Sequence, residues 1–270
     1  MTQTETETMD FQQLIDSLPI TGFLAAFAIL ALLLGEVGFR IGRWWQERST
    51  DEKEGPTSMI VGSLLALMAF LLAITMGMAS DRFDERRVLV LAEANTAGTA
   101  YLRAGFLPEP ASTTTRALIR EYVPLRILTD DLTDAQQRIA RSVEIQDELW
   151  SIAEVLAREI PDSEVLALYI TSLNEMIDLH QSRIIAGFHA RIPATVLAML
   201  LLCSTLTLGM VGYNAGLTRR RSPLTAVVLV IVLGAVITLV VDLDRPRDGF
   251  LKISQQPLIY LQQQIAADGR

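Results

Sequence analysis

The stretch that decides the fold is residues 59–80, which read MIVGSLLALMAFLLAITMGMAS without a charged side chain. A helix rises about 1.5 Å per residue, so roughly 20 apolar residues cross a hydrocarbon layer of about 30 Å with every backbone group paired. Residues 20–39, 192–215 and 224–241 meet the same requirement, the first being interrupted only by Glu36. The sequence therefore predicts four transmembrane helices.

The overall composition agrees with a membrane protein and excludes two other classes. Half of the residues are apolar, and the formal net charge is −8. No basic patch lies outside the short loops, which excludes a nucleic-acid partner, because phosphates need such a patch. The single cysteine, Cys203, lies in the third predicted span, which excludes a disulfide and a thiolate metal cluster.

Two short basic loops set the expected orientation. The first, between spans one and two, contains Arg40, Arg43, Trp44, Trp45, Arg48 and Lys53, and the second, between spans three and four, contains Arg219, Arg220 and Arg221. Short loops rich in Lys and Arg stay in the cytoplasm, which would place the segment between spans two and three outside. Basic residues at the other ends of the spans leave the opposite orientation open.

The segment 81–191 is predicted to be a helical extramembrane domain inserted between the second and third spans. Proline-containing breaks separate amphipathic stretches, and no strand pattern of period two is present, so the fold class is all-α. Residues 59–105 contain no proline, which predicts one continuous helix. The expected divisions are 1–80 for the tail and spans one and two, 81–191 for this domain, 192–241 for spans three and four, and 242–270 for a tail that packs on the domain.

Two phrases carry a family resemblance. Residues 93–103 read EANTAGTAYLR and precede LPEP, and residues 242–246 read DLDRP and precede SQQPL at 254–258. With the four spans, they resemble the bestrophin-like family of bacterial membrane proteins. The resemblance implies a homo-oligomer in the bacterial cytoplasmic membrane that passes small ions, with anions implied by the bestrophin channels. Bestrophins keep the domain after the second span in the cytoplasm, which conflicts with the orientation expected from the basic loops.

One group of polar residues is a candidate for a pore or for subunit contacts: Glu36, Glu93, Asn95, Thr96, Thr99 and Arg103. An acid within a span often marks an ion path, but Glu36 is also spaced to pair with Arg40 at the membrane interface. The small and polar residues after Glu93 favour close helix packing, or a site formed by repeating one helix face around a symmetry axis.

A second group is a candidate for holding the carboxyl-terminal tail: Asp242, Asp244, Arg245, Ser254 and Gln255. We expect Arg245 to pair with Asp242, Asp244 or Glu93 and to fix the tail on the helical domain, because a guanidinium offers two parallel donors to a carboxylate. A ring of selecting charges is the alternative.

The sequence contains no pattern typical of catalysis or cofactor binding. His180 and His189 are nine positions apart, which does not place both on one metal, and no nucleophile with a base or phosphate loop is present. We therefore expect no enzyme activity, cofactor or metal. The expected partners are the lipid bilayer, further copies of the chain and small ions. The alternative to a channel is a membrane-anchored sensor or scaffold that signals through a partner protein.

Overall fold

The structure is a computed structural model that describes residues 15–48, 54–129, 131–188, 190–219, 222–245 and 249–268. Its helices are α1 (Ile20–Arg48), α2 (Glu54–Ala104), α3 (Ala111–Leu125), α4 (Leu132–Glu159), α5 (Glu164–Phe188), α6 (Ala194–Leu217), α7 (Pro223–Asp244) and α8 (Gln256–Asp268). The described residues form no strand, so the predicted all-α class is confirmed.

Four of the helices, α1, α2, α6 and α7, are long and apolar enough to cross a membrane. They match the four predicted spans. The second helix, α2, runs for 51 residues without a break, as the absence of proline predicted. At 1.5 Å per residue it is roughly 75 Å long, so it extends well beyond the apolar segment 59–80.

The described chain divides into two compact units. The membrane unit lies within residues 1–82 and 191–252, and the second unit lies within residues 83–190 and 253–270. This division differs from the tail expected at 242–270, since its first part belongs to the membrane unit. The physical reason is Asp242, whose carboxylate accepts hydrogen bonds from the backbone N–H groups of Phe250 (2.7 Å) and Leu251 (3.1 Å).

Glycines bring α1 and α6 into backbone contact in the membrane unit. A Cβ built on Gly212 would lie 2.0 Å from the carbonyl oxygen of Gly35, and one built on Gly38 would lie 2.1 Å from that of Gly209. Side chains larger than hydrogen do not fit at such an interface, where close approach maximises van der Waals contact between helices. The two helices run parallel, because a Cβ on Gly212 would meet Gly35, and one on Gly216, further along α6, would meet Phe39, further along α1.

The carboxyl-terminal ends of α1 and α6 lie close together in the membrane unit. Arg219, just after α6, donates to the side chain of Gln46 near the end of α1 at 2.8 Å. At the other end, Arg191 before α6 pairs with Asp16 before α1. The structure thus puts the carboxyl-terminal ends of α1 and α6 at one end of the membrane unit and their beginnings at the other.

The second unit has its own apolar core between α3, α4, α5 and α8, with a contribution from α2. Its largest fully buried side chains are Tyr101, Ile119, Tyr122, Ile145, Leu149, Tyr169, Leu173 and Met176. The start of α5 is set by Ser163, whose hydroxyl accepts from the N–H of Leu166 at 3.2 Å. The tail helix α8 buries Leu261 and Ile265 in this core.

Candidate functional site

Glu93 is the centre of a buried polar cluster in the second unit. Its side chain has no exposed surface, and it receives hydrogen bonds from residues of two other helices. Oε1 accepts from Arg126 Nε at 2.6 Å and from the hydroxyl of Tyr122 at 3.1 Å, and Oε2 accepts from Arg183 Nη1. The carboxylate thereby ties α2 to α3 and α5.

A second ring of groups surrounds these bonds. The hydroxyl of Tyr122 gives its proton to Glu93, so its oxygen accepts from Gln146 Nε2 and from His180 Nδ1, each at 3.4 Å. This assigns the proton of His180 to Nδ1 and leaves a lone pair on Nε2, which has no partner among the described residues. Arg183 also donates to Gln255 at 2.9 Å, which attaches the segment before α8.

The electrostatics of this cluster hold its charges fixed. Glu93 lies beyond the apolar segment 59–80; burial alone would raise the pKa of its carboxyl, but the guanidiniums of Arg126 and Arg183 outweigh burial and lower it. Burial, with repulsion from Arg126, lowers the pKa of His180 to about 4, so its imidazole is neutral near pH 7. Burial and the carboxylate raise the pKa of Tyr122. The cluster is therefore an ion lock with no proton exchange near neutrality.

The other candidates on α2 occupy different surroundings. Asn95 and Thr99 are exposed and line an open cavity of about 680 Å³ between α2 and α8. The hydroxyl of Thr99 donates to the backbone carbonyl of Asn95 at 3.0 Å, while Thr96 is partly buried. Arg103 donates to the carbonyl of Leu168 on α5 at 2.7 Å. The structure therefore separates these residues from Glu93.

One face of α2 is exposed along the whole helix. We call it the open stripe; its members fall within an arc of about 80° at 100° per residue. They are Met59, Ser63, Ala66, Phe70, Ala73, Gly77, Asp81, Asp84, Val88, Leu91, Asn95, Thr99 and Leu102, all exposed. Within residues 59–80 the stripe is small or apolar, and it becomes charged where the helix leaves that segment.

Glu36 pairs with Arg40 and also borders a cavity within the membrane unit. Its carboxylate accepts from Arg40 Nε at 3.0 Å, the helix pair that the spacing indicated. It also lines a cavity of about 300 Å³ between α1, α6 and α7, whose other walls are mostly apolar.

The tail candidates are placed differently from the expectation. Asp244 accepts from the N–H of Ile192 at 2.8 Å and from Arg191 Nε at 3.2 Å, and Asp242 caps a turn. With both carboxylates occupied, Arg245 donates instead to the carbonyl of Ile15 and lies 3.7 Å from Asp16. The expected pairing of Arg245 with Asp242, Asp244 or Glu93 is thus replaced by a contact with the segment before α1.

The remaining two tail candidates lie at the start of α8. The hydroxyl of Ser254 accepts from the N–H of Gln256 at 3.4 Å. The amide oxygen of Gln255 binds Arg183 in the Glu93 cluster.

From the sequence, Tyr122, Arg126 and Arg183 are assigned to no site, and His180 is considered only as a metal ligand. Tyr122 lies on α3 and Arg126, four residues later, is the carboxyl-terminal cap of that helix, while His180 and Arg183 are three residues apart on α5; both spacings place a pair on one helix face. Polar side chains at those positions within apolar faces were the available signal. His189 lies outside the described residues, and no group of three metal-binding side chains occurs in the part that the structure describes.

One family model matches most of this chain. The model of the Bestrophin-like domain matches residues 23–258. No curated protein matches the sequence. A mutant of a bacterial bestrophin homologue from Klebsiella pneumoniae is similar in structure, with a TM-score of 0.68 and 15% identity over 91% of this chain and 99% of that one.

Two further crystal structures of that bacterial homologue give the same result. A second mutant has a TM-score of 0.67 and 15% identity, covering 93% of this chain and 99% of its own. A structure phased with zinc has a TM-score of 0.65 and 13% identity, covering 91% and 96%. At these identities the likeness shows a shared fold.

Proposed function

This chain belongs to the Bestrophin-like domain family, and on that premise we propose that it forms a homo-oligomeric membrane channel for small ions. Several copies would surround one axis, with the open stripe of α2 facing the conduction path. Such closed cyclic assembly places the same surface of each copy at the axis. The family and the four apolar helices indicate a membrane protein, and we assign it to the bacterial cytoplasmic membrane.

The observation that carries this proposal is the open stripe. Beyond the apolar segment, Val88, Leu91 and Leu102 are 62%, 51% and 58% exposed, although water surrounds this part of a membrane protein. Val88 and Leu91 are neighbours on this face, and exposed apolar neighbours outside the membrane indicate an interaction surface. The same stripe continues through residues 59–80 without a charge, which suits the wall of an ion path that crosses the apolar layer.

The charge on the stripe suggests its ion preference. The resemblance to bestrophins implies anions, but the stripe contains no Lys or Arg and carries Asp81 and Asp84 where α2 leaves the apolar segment. Repeated around an axis, these carboxylates form rings, and rings of Asp or Glu favour cations. We therefore propose that the channel prefers cations and that Asp81 and Asp84 cause this preference.

Liposomes that contain the purified protein test the proposal. Across a KCl gradient, the reversal potential should lie near the equilibrium potential of potassium. An Asp81→Asn, Asp84→Asn double variant should move it towards the equilibrium potential of chloride. The matched control is Asp178→Asn, an exposed carboxylate on α5 away from the stripe. A chloride-side potential in the unaltered protein would overturn the role of the carboxylates and restore the anion assignment. Absence of flux would reject the channel and favour the sensor or scaffold.

A further inference from the structure

A cavity of about 490 Å³ opens in the membrane unit where α1 begins. It is lined by the chain from Asp16 to Thr21, by Arg245 at the end of α7, and by Gly249 and Phe250. None of these residues belongs to the open stripe or to the Glu93 cluster. We call this space the interfacial cavity.

The position of the interfacial cavity is the boundary of the apolar layer. Of the helices that can cross a membrane, α1 begins at Ile20 and α7 ends at Asp244, both beside it. Lipid head groups lie at this depth, just outside the hydrocarbon core. Leu18, Pro19 and Phe250 supply apolar walls, and Phe250 is 71% exposed.

One side of the cavity is positive. Arg245 is 5% exposed, and its Nε has no hydrogen-bond partner among the described residues. A guanidinium keeps its charge when buried, so the N–H requires an acceptor. The N-terminus of α1 adds to this side, because the N–H groups of the first turn of a helix lie before its first backbone hydrogen bond, which here runs from the N–H of Phe23 to the carbonyl of Pro19.

The other side is negative. The carboxylate of Asp16 is 39% exposed, and it is held by Arg191 while lying 3.7 Å from Arg245 Nε. The negative charge of this carboxylate would repel a ligand that carries only negative charge. A ligand with both a phosphate and a primary ammonium matches both sides.

We propose that the interfacial cavity binds the head group of a phospholipid that carries a phosphate and a primary ammonium, as phosphatidylethanolamine does. The phosphate accepts from Arg245 Nε and from the first N–H groups of α1, and the ammonium donates to Asp16. A choline head group has no N–H to donate to Asp16, and a glycerol head group brings no positive charge.

Native mass spectrometry of the delipidated full-length protein in detergent tests this assignment. Dioleoyl lipids with ethanolamine, choline or glycerol head groups are titrated separately. The ethanolamine lipid should bind about tenfold more tightly than the choline lipid, because one charged hydrogen bond is at stake. Equal affinity for the three lipids, or tightest binding of the glycerol lipid, would overturn the proposal.

Variants separate the two sides of the site. Asp16→Asn should remove the preference for ethanolamine over choline, and Arg245→Gln should weaken both lipids. Leu18→Trp fills the cavity without altering a charge, so it should lower the affinity for lipid. It tests the site independently if the Arg245→Gln variant does not fold. The matched control is Glu47→Gln, which removes an acid paired with an arginine at the other end of α1 and should change neither affinity. A preference that survives both Asp16→Asn and Leu18→Trp places the lipid elsewhere.

Discussion

The backbone contact between α1 and α6 makes Gly212→Ala a sharp test of the fold. The added Cβ would lie 2.0 Å from the oxygen, 2.8 Å from the carbonyl carbon and 3.0 Å from the Cα of Gly35. All three atoms are backbone, so no rotamer change relieves the clash. Ordinary contact begins at 3.4 Å, and the carbonyl oxygen must therefore retreat by about 1.4 Å.

The expected cost follows from two opposing effects. Overpacking of a tight interface costs typically about 1–3 kcal/mol, and this clash lies at the upper end because only the whole helix can move. Alanine recovers about 1 kcal/mol through its higher helix propensity. We expect a net loss of about 2 kcal/mol.

The matched control for this variant is Gly62→Ala on α2, where a Cβ meets nothing within 4 Å. It carries the same propensity gain without a clash, so it should leave stability unchanged or raise it. The measurement is reversible unfolding of the purified protein in mixed micelles by denaturing detergent. If Gly212→Ala unfolds at the same denaturant level as Gly62→Ala, the backbone contact between α1 and α6 is not part of the fold.

Three further predictions concern the second unit and the orientation. Glu93→Gln should lower the free energy of unfolding by about 3–5 kcal/mol in the same assay, because it leaves two buried guanidiniums uncompensated. The exposed control Glu121→Gln should lower it by less than about 1 kcal/mol. Similar losses for both variants would contradict the ion lock. Folding lowers the pKa of His180 to about 4, because the folded protein favours the neutral imidazole. Its contribution to folding stability is therefore complete above the unfolded pKa near 6.5. That contribution is lost as the pH falls from 6.5 towards 4. Unfolding should show this loss as a decrease on the order of 3 kcal/mol that disappears in His180→Gln, whereas an unchanged pH profile in that variant would assign the decrease to other groups. Reporter fusions within residues 219–223 and 113–115 should report opposite compartments, the first cytoplasmic; the reverse result would establish the orientation of bestrophins instead.

Much of the architecture was predictable because it depends on local composition. The four spans follow from uncharged length, and the continuity of α2 follows from the absence of proline. The glycine contact was also visible in principle, since Gly35, Gly38 and Gly42 share the spacing of Gly209, Gly212 and Gly216. Equal spacing of small residues on two spans is the pattern of close helix packing.

The ion pairs could not be assigned from the sequence. The partners of Glu93 lie on α3 and α5, so their meeting depends on how three helices pack. Arg245 was expected to bind a neighbouring acid, but backbone N–H groups and Arg191 already occupy Asp242 and Asp244. Such competition for acceptors appears only when the chain is folded.

If ions pass along the open stripe of α2, a thiol placed on that stripe should be accessible from the conduction path, and cysteine modification tests this. In a Cys203→Ser background, which removes the only native cysteine, Ala66→Cys places a thiol on the stripe, and Val232→Cys places one on α7 at a position 57% exposed. Liposome flux is measured before and after a charged, membrane-impermeant methanethiosulfonate reagent is added. We expect the reagent to change flux through Ala66→Cys and to leave flux through Val232→Cys unaffected. Unchanged flux in Ala66→Cys after confirmed labelling, or an equal change in Val232→Cys, would contradict conduction along the stripe.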